Sequence, residues 1–328
     1  MIADPIETKR FKSRLRLYLA PALLLVLAVA LSIGWLIFSR EVETRLDALI
    51  AEEATKGRSW SCDNRKIAGY PFRIEIECIN ARLKDTGTSQ SNVRLSRLGA
   101  VAQIYDPSLI IIEAQGPLVV DSKDQQSATA EWTSLRSSVH INASHKPDRL
   151  SIVGEGVSLK FQNKGQTQNL VMTRGEFHLR IKPVDDKPSS DLEFAAKVES
   201  LTSDMMAGPS IQLETAGTIE QGVLYLNFKG IDTVESWRQA KGRLQLDVLK
   251  INRGEQNIEM KGTLGLDEQR KLSGQIEVSG KGLDDVFKSQ GLSKLSGLQA
   301  SNLKVPLIFT KGLLLLGPFK VAELPPLY

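Results

Sequence analysis

The chain has 328 residues, of which 41% are hydrophobic, and a formal net charge of +4 at pH 7. The first sixteen residues hold five basic and two acidic side chains, so the rest of the chain is close to neutral and has no dense basic run. This distribution argues against a nucleic-acid-binding protein, because such proteins concentrate Lys and Arg on one face.

Residues 17–39 form an uncharged, mostly apolar stretch that can cross a bilayer as a helix. Its 23 positions exceed the roughly 20 that a hydrocarbon core requires. The five basic residues before it are Lys9, Arg10, Lys12, Arg14 and Arg16. Basic flanks of a first span tend to stay in the cytoplasm. We therefore predict a cytoplasmic tail over residues 1–16, a transmembrane helix over 17–39, and a bacterial inner-membrane protein whose remaining chain is periplasmic. A cleaved signal peptide ending near residues 28–30 is the alternative, and it is disfavoured because apolar character continues to Phe38.

Residues 40–57 are predicted to form a juxtamembrane helix. Val42, Leu46, Leu49 and Ile50 recur with the spacing of one helix face. This stripe suggests a helix that docks on the exported domain, and a solvated stalk is the alternative. Gly57 is typical of a helix C-terminus.

Residues 58–328 are predicted to form a mostly β, periplasmic domain. In residues 72–78, apolar side chains alternate with charged ones, as in a half-buried antiparallel strand. Similar segments follow between turn residues, and we expect Gly116-Pro117 to end the strand that contains residues 109–113. Helices are predicted only near 233–240 and 283–289, too few for a parallel α/β sheet. The prediction is one long antiparallel meander, curled around its apolar side into a half-pipe, a sandwich or a barrel. An elongated apolar groove and an ordinary filled core both fit this pattern.

The two cysteines, Cys62 and Cys78, are predicted to form a structural disulfide; a metal-binding pair is the alternative, disfavoured because no partner His or Cys lies nearby in the sequence. Both cysteines follow the apolar stretch, and an oxidising periplasm would let them pair. The closed loop has about 15 intervening residues, which corresponds to roughly 3 kcal/mol in chain-entropy arguments.

The sequence offers no recognisable catalytic or metal-binding motif. The three histidines, His140, His145 and His178, do not share a helix face, and exposed strand positions explain them better than metal ligation. Nucleophile elbow, P-loop and zinc-protease patterns are missing from the sequence. We predict that the protein is not an enzyme and binds no cofactor or metal.

Three stretches and the chain ending carry a family resemblance: Trp60-Ser61-Cys62, then residues 67–73 with Gly69, Tyr70, Pro71, Phe72 and Arg73, then residues 101–107, and finally residues 324–328. Together they resemble the domain of unknown function 2125 family of Gram-negative bacteria. The resemblance implies an exported, membrane-anchored protein and brings no established activity. The architecture is also distantly similar to AsmA-like envelope proteins, which are associated with phospholipid movement and outer-membrane upkeep.

Two functions from different classes follow from these expectations. The first is handling of phospholipid or another apolar ligand, or maintenance of the envelope, by the apolar side of a curled sheet. The second is a periplasmic scaffold without ligand, which recruits proteins by strand addition at a sheet edge. Arg73 is either a contact for a phosphate or lipid headgroup or a solvated strand charge, and the solvated charge is the favoured interpretation.

Overall fold

A computed structural model describes residues 10–87, 90–122, 126–144, 146–163, 165–184, 187–227, 231–281, 304–317 and 319–328. In these ranges the elements are α1 (Arg10–Thr55), β1 (Arg58–Ser61), β2 (Asn64–Ala68), β3 (Arg73–Asp85), β4 (Ser91–Gln103), β5 (Asp106–Ser122), β6 (Gln126–Glu131), β7 (Ser134–Ile141), β8 (Pro147–Asn163), β9 (Gln166–Val184), β10 (Lys187–Ser203), β11 (Ile211–Ile219), a 3-10 helix (Gly222–Asn227), α2 (Ile231–Gln239), β12 (Arg243–Arg253), β13 (Gln256–Leu266), β14 (Leu272–Lys281), β15 (Val305–Thr310), β16 (Leu313–Leu316) and β17 (Phe319–Glu323). The predicted helix at 283–289 and His145 lie outside the described residues.

Helix α1 is a single element of 46 residues that contains both the apolar stretch and the predicted juxtamembrane helix. It begins at Arg10, inside the predicted tail, and Pro21 lies in its interior. The helix ends at Thr55, and Gly57 follows with a φ of 81°, which suits a residue without a side chain. Among the described helices, this is the one long and apolar enough to cross a membrane, between Tyr18 and Thr55.

The strands form one 17-stranded sheet in which every pairing of the register is antiparallel. From β8 to β17, each strand pairs with the next one along the chain. At the start, β1 and β2 both pair with β3, and β6 and β7 lie end to end between β5 and β8. The predicted antiparallel meander is therefore confirmed.

A line of irregular backbone positions crosses the first half of the sheet. It passes through Asn80 on β3 (φ 52°), Gly116-Pro117 on β5, Gly156 on β8 (φ 59°) and Ser200 on β10 (φ 51°). The expectation that Gly116-Pro117 ends a strand is wrong, because β5 continues to Ser122. A bulge adds a residue to one strand and bends it without ending it. On β8 no residue is added in the register with β9, and the positive φ of Gly156 marks the point where the alternating apolar residues change from Leu150 and Ile152 to Val157 and Leu159.

The apolar face of the sheet is only partly covered. In the described part of the chain, ten hydrophobic side chains are buried: Ile74, Cys78, Ala81, Val157, Leu192, Trp237, Ile276, Val278, Val305 and Leu316. Most other apolar side chains of the described strands are only half-buried, so the filled core of a two-layer sandwich, which the sequence left open, does not fit the described part of the chain.

Candidate functional site

An apolar cavity lies between the second half of α1 and the apolar face of the first strands. Its volume is 720 Å³. The helix contributes Leu46, Leu49 and Ile50, three of the four residues in the predicted stripe. This placement favours the docked helix over a solvated stalk. The opposite wall consists of Ile76, Cys78 and Ala81 on β3 with Leu98 and Ala100 on β4, and Trp60 with Cys62 lies at the side.

The register of β3 and β4 explains why this wall is smooth and apolar. Ile76 pairs with Ala100, and Cys78 pairs with Leu98, so the four side chains stand side by side on one face. Asn80 has a positive φ of 52°, which places the buried Ala81 on the same face as Cys78. Small residues at Ala81 and Ala100 leave the space that α1 does not fill.

The disulfide predicted from the sequence is present and holds one side of the cavity. Cys62 and Cys78 are 16 residues apart in sequence, with their Cα atoms 5.5 Å apart. Cys62 follows β1 directly, and β1 pairs with the far end of β3, Trp60 opposite Leu83. The bond therefore fixes the Trp60 segment against the wall that Cys78 belongs to.

Charged residues line the rim of the cavity and connect α1 to the sheet. Arg65 on β2 donates a hydrogen bond to Asp47 on α1, with 2.6 Å between Nη1 and Oδ1, and Glu43 lies 3.7 Å from the same guanidinium. The hydrogen bond to Asp47 raises the pKa of Arg65. These pairs join residues that lie on opposite sides of the cavity, so they hold the helix over the apolar wall.

Glu53 is the carboxylate at the far end of this helix segment. Arg58 donates to it, with 2.8 Å between Nη2 and Oε1, and Lys56 lies 3.2 Å away. The hydrogen bond from Arg58 is the largest influence, and together these cations lower the pKa of Glu53 to about 2. Glu53 therefore stays ionised and linked to β1 at any ordinary pH.

This ion pair predicts an acid-dependent loss of stability. A carboxylate with a depressed pKa stabilises the folded state above its unfolded value of 4.5, and the contribution is lost as the pH falls toward 2. Urea unfolding of the full chain in micelles should show the native protein more stable than Glu53→Gln at pH 6, with the difference disappearing near pH 2. A difference that persists unchanged to pH 2 would contradict the assignment.

The loop of residues 69–73, the most specific part of the family motif, lies between β2 and β3 and contacts α1 instead of the cavity. Tyr70 Oη and Ser32 Oγ are 2.7 Å apart and share a hydrogen bond, and Trp35 Nε1 donates to the carbonyl oxygen of Arg73 at 3.0 Å. The rings of Trp35 and Tyr70 meet edge to face, 5.6 Å between centroids. Arg73 forms an ion pair with Glu75 at 2.6 Å.

Gly69, Pro71 and Phe72 shape and extend this loop. Gly69 has a φ of 100°, and an added Cβ would meet the backbone of Arg73, so only glycine fits the turn. The Tyr70–Pro71 peptide bond is cis. Phe72 is exposed, although the sequence placed it on the apolar side of the strand together with Ile74.

Sequence reasoning missed the partners of the loop on α1. Ser32 and Trp35 lie 38 residues before the groups that they bond, inside a stretch interpreted only as a span. The one available signal was a pair of hydrogen-bonding side chains within an otherwise apolar run, since such groups usually find partners when water is excluded.

A second group of helices, separate from α1, covers the sheet at β10 and β11. The 3-10 helix and α2 follow β11, and Gly222 packs against Leu192 and Ile219. Trp237 of α2 is buried and donates to the carbonyl oxygen of Glu220 at 2.7 Å. This arrangement closes the face where β10 begins and β11 ends.

The end of the chain binds α2 through Tyr328. Its hydroxyl donates to Glu235 at 2.7 Å, and Arg270 lies over its ring, 5.1 Å from the centroid. Arg238, 2.6 Å from Glu235, is the main reason why the pKa of this carboxyl lies well below its ordinary range. The ending that contributed to the family resemblance therefore has a structural role in this fold.

Groups able to carry out chemistry are scattered. His140 pairs with Asp148 at 2.6 Å, and His178 bonds Ser151 at 3.0 Å. Among the described residues, no three His, Cys, Asp or Glu side chains lie close enough together to hold a metal ion. The predictions that the protein is not an enzyme and has no cofactor are not tested by this arrangement.

The fold and the cavity together define the class: a β-rich protein with a single extended sheet and a candidate membrane helix. Over residues 35–325 the chain matches the family described as an uncharacterized protein conserved in bacteria (DUF2125). It belongs to that family, as the motif at Gly69–Arg73 suggested. Searches of curated proteins and of solved structures give no match. The likeness to AsmA-like envelope proteins is not supported by these comparisons and stays a prediction.

Proposed function

We propose that this protein is anchored in the bacterial inner membrane by α1 and binds apolar chains of membrane lipids on the periplasmic side. The observation that carries the proposal is the 720 Å³ apolar cavity between α1 and the β3–β4 wall. Small-molecule sites are usually concave, largely apolar and about 300–1,000 Å³ in volume. The cavity has these properties, and its charged residues are confined to the rim.

The source of the ligand follows from the continuity of α1. The same helix that contains the apolar run of residues 17–39 supplies Leu46, Leu49 and Ile50 to the cavity. A bilayer around the run is therefore the nearest store of apolar molecules, about two to three helical turns from the cavity. Phospholipid fits better than a soluble metabolite because the described walls offer few polar side chains.

Two features support the periplasmic side for the sheet. Basic residues precede the apolar run, which favours a cytoplasmic N-terminus. The disulfide between Cys62 and Cys78 suits an oxidising compartment. Beyond the cavity, the half-buried apolar face continues across the sheet and would extend the surface available to lipid chains. Its role would then be lipid handling or envelope maintenance.

Site-specific photo-crosslinking tests this proposal in intact cells. A photoreactive amino acid at Leu98, inside the cavity, is expected to form adducts with phospholipid that mass spectrometry detects. The same group at Ala195, on the polar face of β10 opposite His178, is the control and should form few. Equal labelling at both positions, or no lipid adduct at Leu98, would overturn the proposal. A reproducible protein adduct in place of lipid would favour the scaffold function.

Filling the cavity should prevent lipid binding. Ala100→Trp places an indole between β4 and α1, and we expect it to reduce the lipid adduct at Leu98 roughly tenfold, equivalent to about 1.4 kcal/mol. Ala195→Trp makes the same substitution on the polar face and should leave the adduct unchanged. A full adduct in Ala100→Trp, with folding verified by circular dichroism, would show that the cavity is not the lipid site.

A further inference from the structure

The contacts of the Gly69–Arg73 loop place one end of the sheet at a defined height along α1. Tyr70 bonds Ser32, and Trp35 bonds the backbone of Arg73. Both helix residues lie inside the uncharged run of residues 17–39, before the first charged residue, Arg40. At about 1.5 Å per residue, Ser32 lies about 12 Å below Arg40 along the helix axis.

This height falls within a bilayer that surrounds the run. A hydrocarbon core of about 30 Å takes about 20 helical residues, so a span that starts at Leu17 ends near Leu36. Ser32 and Trp35 then lie in the outer part of the core and its interface. The loop bonded to them lies at the same depth, since hydrogen bonds of 2.7 and 3.0 Å leave no room for a layer of lipid.

The side chains at this end of the sheet are apolar on both faces. Tyr70 is 56% exposed, Phe72 58% and Tyr105 75%. The backbone N–H of Ile104 donates to the carbonyl oxygen of Phe72 at 3.0 Å, which joins the β4–β5 turn to the loop. On the face that is otherwise polar, Leu109 and Ile111 at the start of β5 are also exposed. We call these five exposed residues, Tyr70, Phe72, Tyr105, Leu109 and Ile111, the aromatic corner.

Three charged groups lie beside the aromatic corner. Arg73 and Glu75 form an ion pair at 2.6 Å, and the carboxylate of Asp106 accepts a hydrogen bond from Ser108. Aromatic side chains with one polar end favour the interface between lipid and water. The exposed Tyr and Phe side chains lie beside the part of α1 that is placed in the bilayer. They therefore fit the lipid–water interface better than bulk water.

We propose that the aromatic corner inserts into the periplasmic interface of the bilayer that α1 spans. The partner is a lipid surface, recognised by aromatic and aliphatic side chains. Insertion would place the start of β3 and the end of β4 in the membrane interface. Lipid would then reach the cavity without crossing water. This inference rests on the proposed membrane anchor and is independent of whether the cavity holds lipid.

Fluorescence quenching in nanodiscs tests the insertion with the full chain. Tyr105→Cys, labelled with an environment-sensitive fluorophore under non-reducing conditions, is compared with Lys84→Cys, an exposed position near the other end of β3. Lipids that carry a nitroxide near the headgroup should quench the Tyr105 label several-fold more than the Lys84 label. The label at Phe72→Cys should be quenched as strongly as the label at Tyr105→Cys. Agreement between the two positions shows that the quenching is not a local effect of one label.

The outcomes separate this inference from the proposed function. Strong quenching at Tyr105 and Phe72 without lipid adducts at Leu98 would support the inserted corner and overturn lipid binding in the cavity. Equal, weak quenching at all three positions in protein incorporated into nanodiscs would overturn the insertion, even if Leu98 captures lipid. Phe72→Asp should reduce the quenching at Tyr105, because a charge there opposes insertion.

Discussion

Trp237→Ala is expected to lower the free energy of unfolding by about 3–5 kcal/mol, the usual range for removing a buried Trp or Phe. Trp237 is 8% exposed, its ring lies 6.1 Å from that of Tyr225, and its N–H satisfies the carbonyl oxygen of Glu220. The substitution leaves a cavity and an unpaired acceptor between α2 and the sheet. Urea unfolding of the full chain in micelles, followed by circular dichroism, measures the loss.

Two further variants show whether the effect comes from this packing. Trp237→Phe keeps most of the ring and loses the hydrogen bond, so its cost should be closer to 1 kcal/mol. Gly242→Ala leaves the indole in place, but its Cβ would overlap that ring, so it should also destabilise the protein. A loss well below 1 kcal/mol for Trp237→Ala would mean that α2 contributes little to the stability of the sheet.

Removing the disulfide is expected to cost about 3 kcal/mol, because it closes a loop of about 15 residues in the unfolded chain. The double variant Cys62→Ala/Cys78→Ala should show this loss in the same urea experiment. It should also reduce the lipid adduct at Leu98, since the Trp60 segment would no longer be fixed beside the wall of the cavity.

Reductant provides the matched control for the disulfide. Dithiothreitol should bring the native protein close to the stability of the double variant and have no effect on the variant itself. If reduction left the unfolding midpoint of the native protein unchanged, the crosslink would not be a source of stability.

The sequence was sufficient to predict the elements whose signals are local. The uncharged run predicted α1, strict alternation such as that of Ile74, Ile76 and Cys78 predicted β3, and the stripe at Leu46, Leu49 and Ile50 predicted the face that α1 presents to the domain. Each of these depends on the period of a single element. The helix predicted near 233–240 is found as α2 over Ile231–Gln239.

Features that depend on pairs of distant segments could not be predicted. Gly116-Pro117 has the composition of a strand end, yet the register with β4 makes it a bulge inside β5. In β12, a bulge between Leu246 and Leu249 places Leu249 in register with Met260, which interrupts the alternation that begins at Leu244. The cavity needed the stripe of α1 and the wall of β3 and β4 to be placed together, and no local pattern gives that distance.

The unbroken length of α1 has a mechanical consequence. A helix of 46 residues is about 69 Å long, and no interruption separates its apolar run from the part that faces β3 and β4 across the cavity. Spans tilt when the hydrocarbon thickness and the length of the apolar run differ. If α1 spans a bilayer as proposed, a thinner or thicker membrane would tilt the helix and the β-sheet joined to it, so lipid composition would set the orientation of the protein.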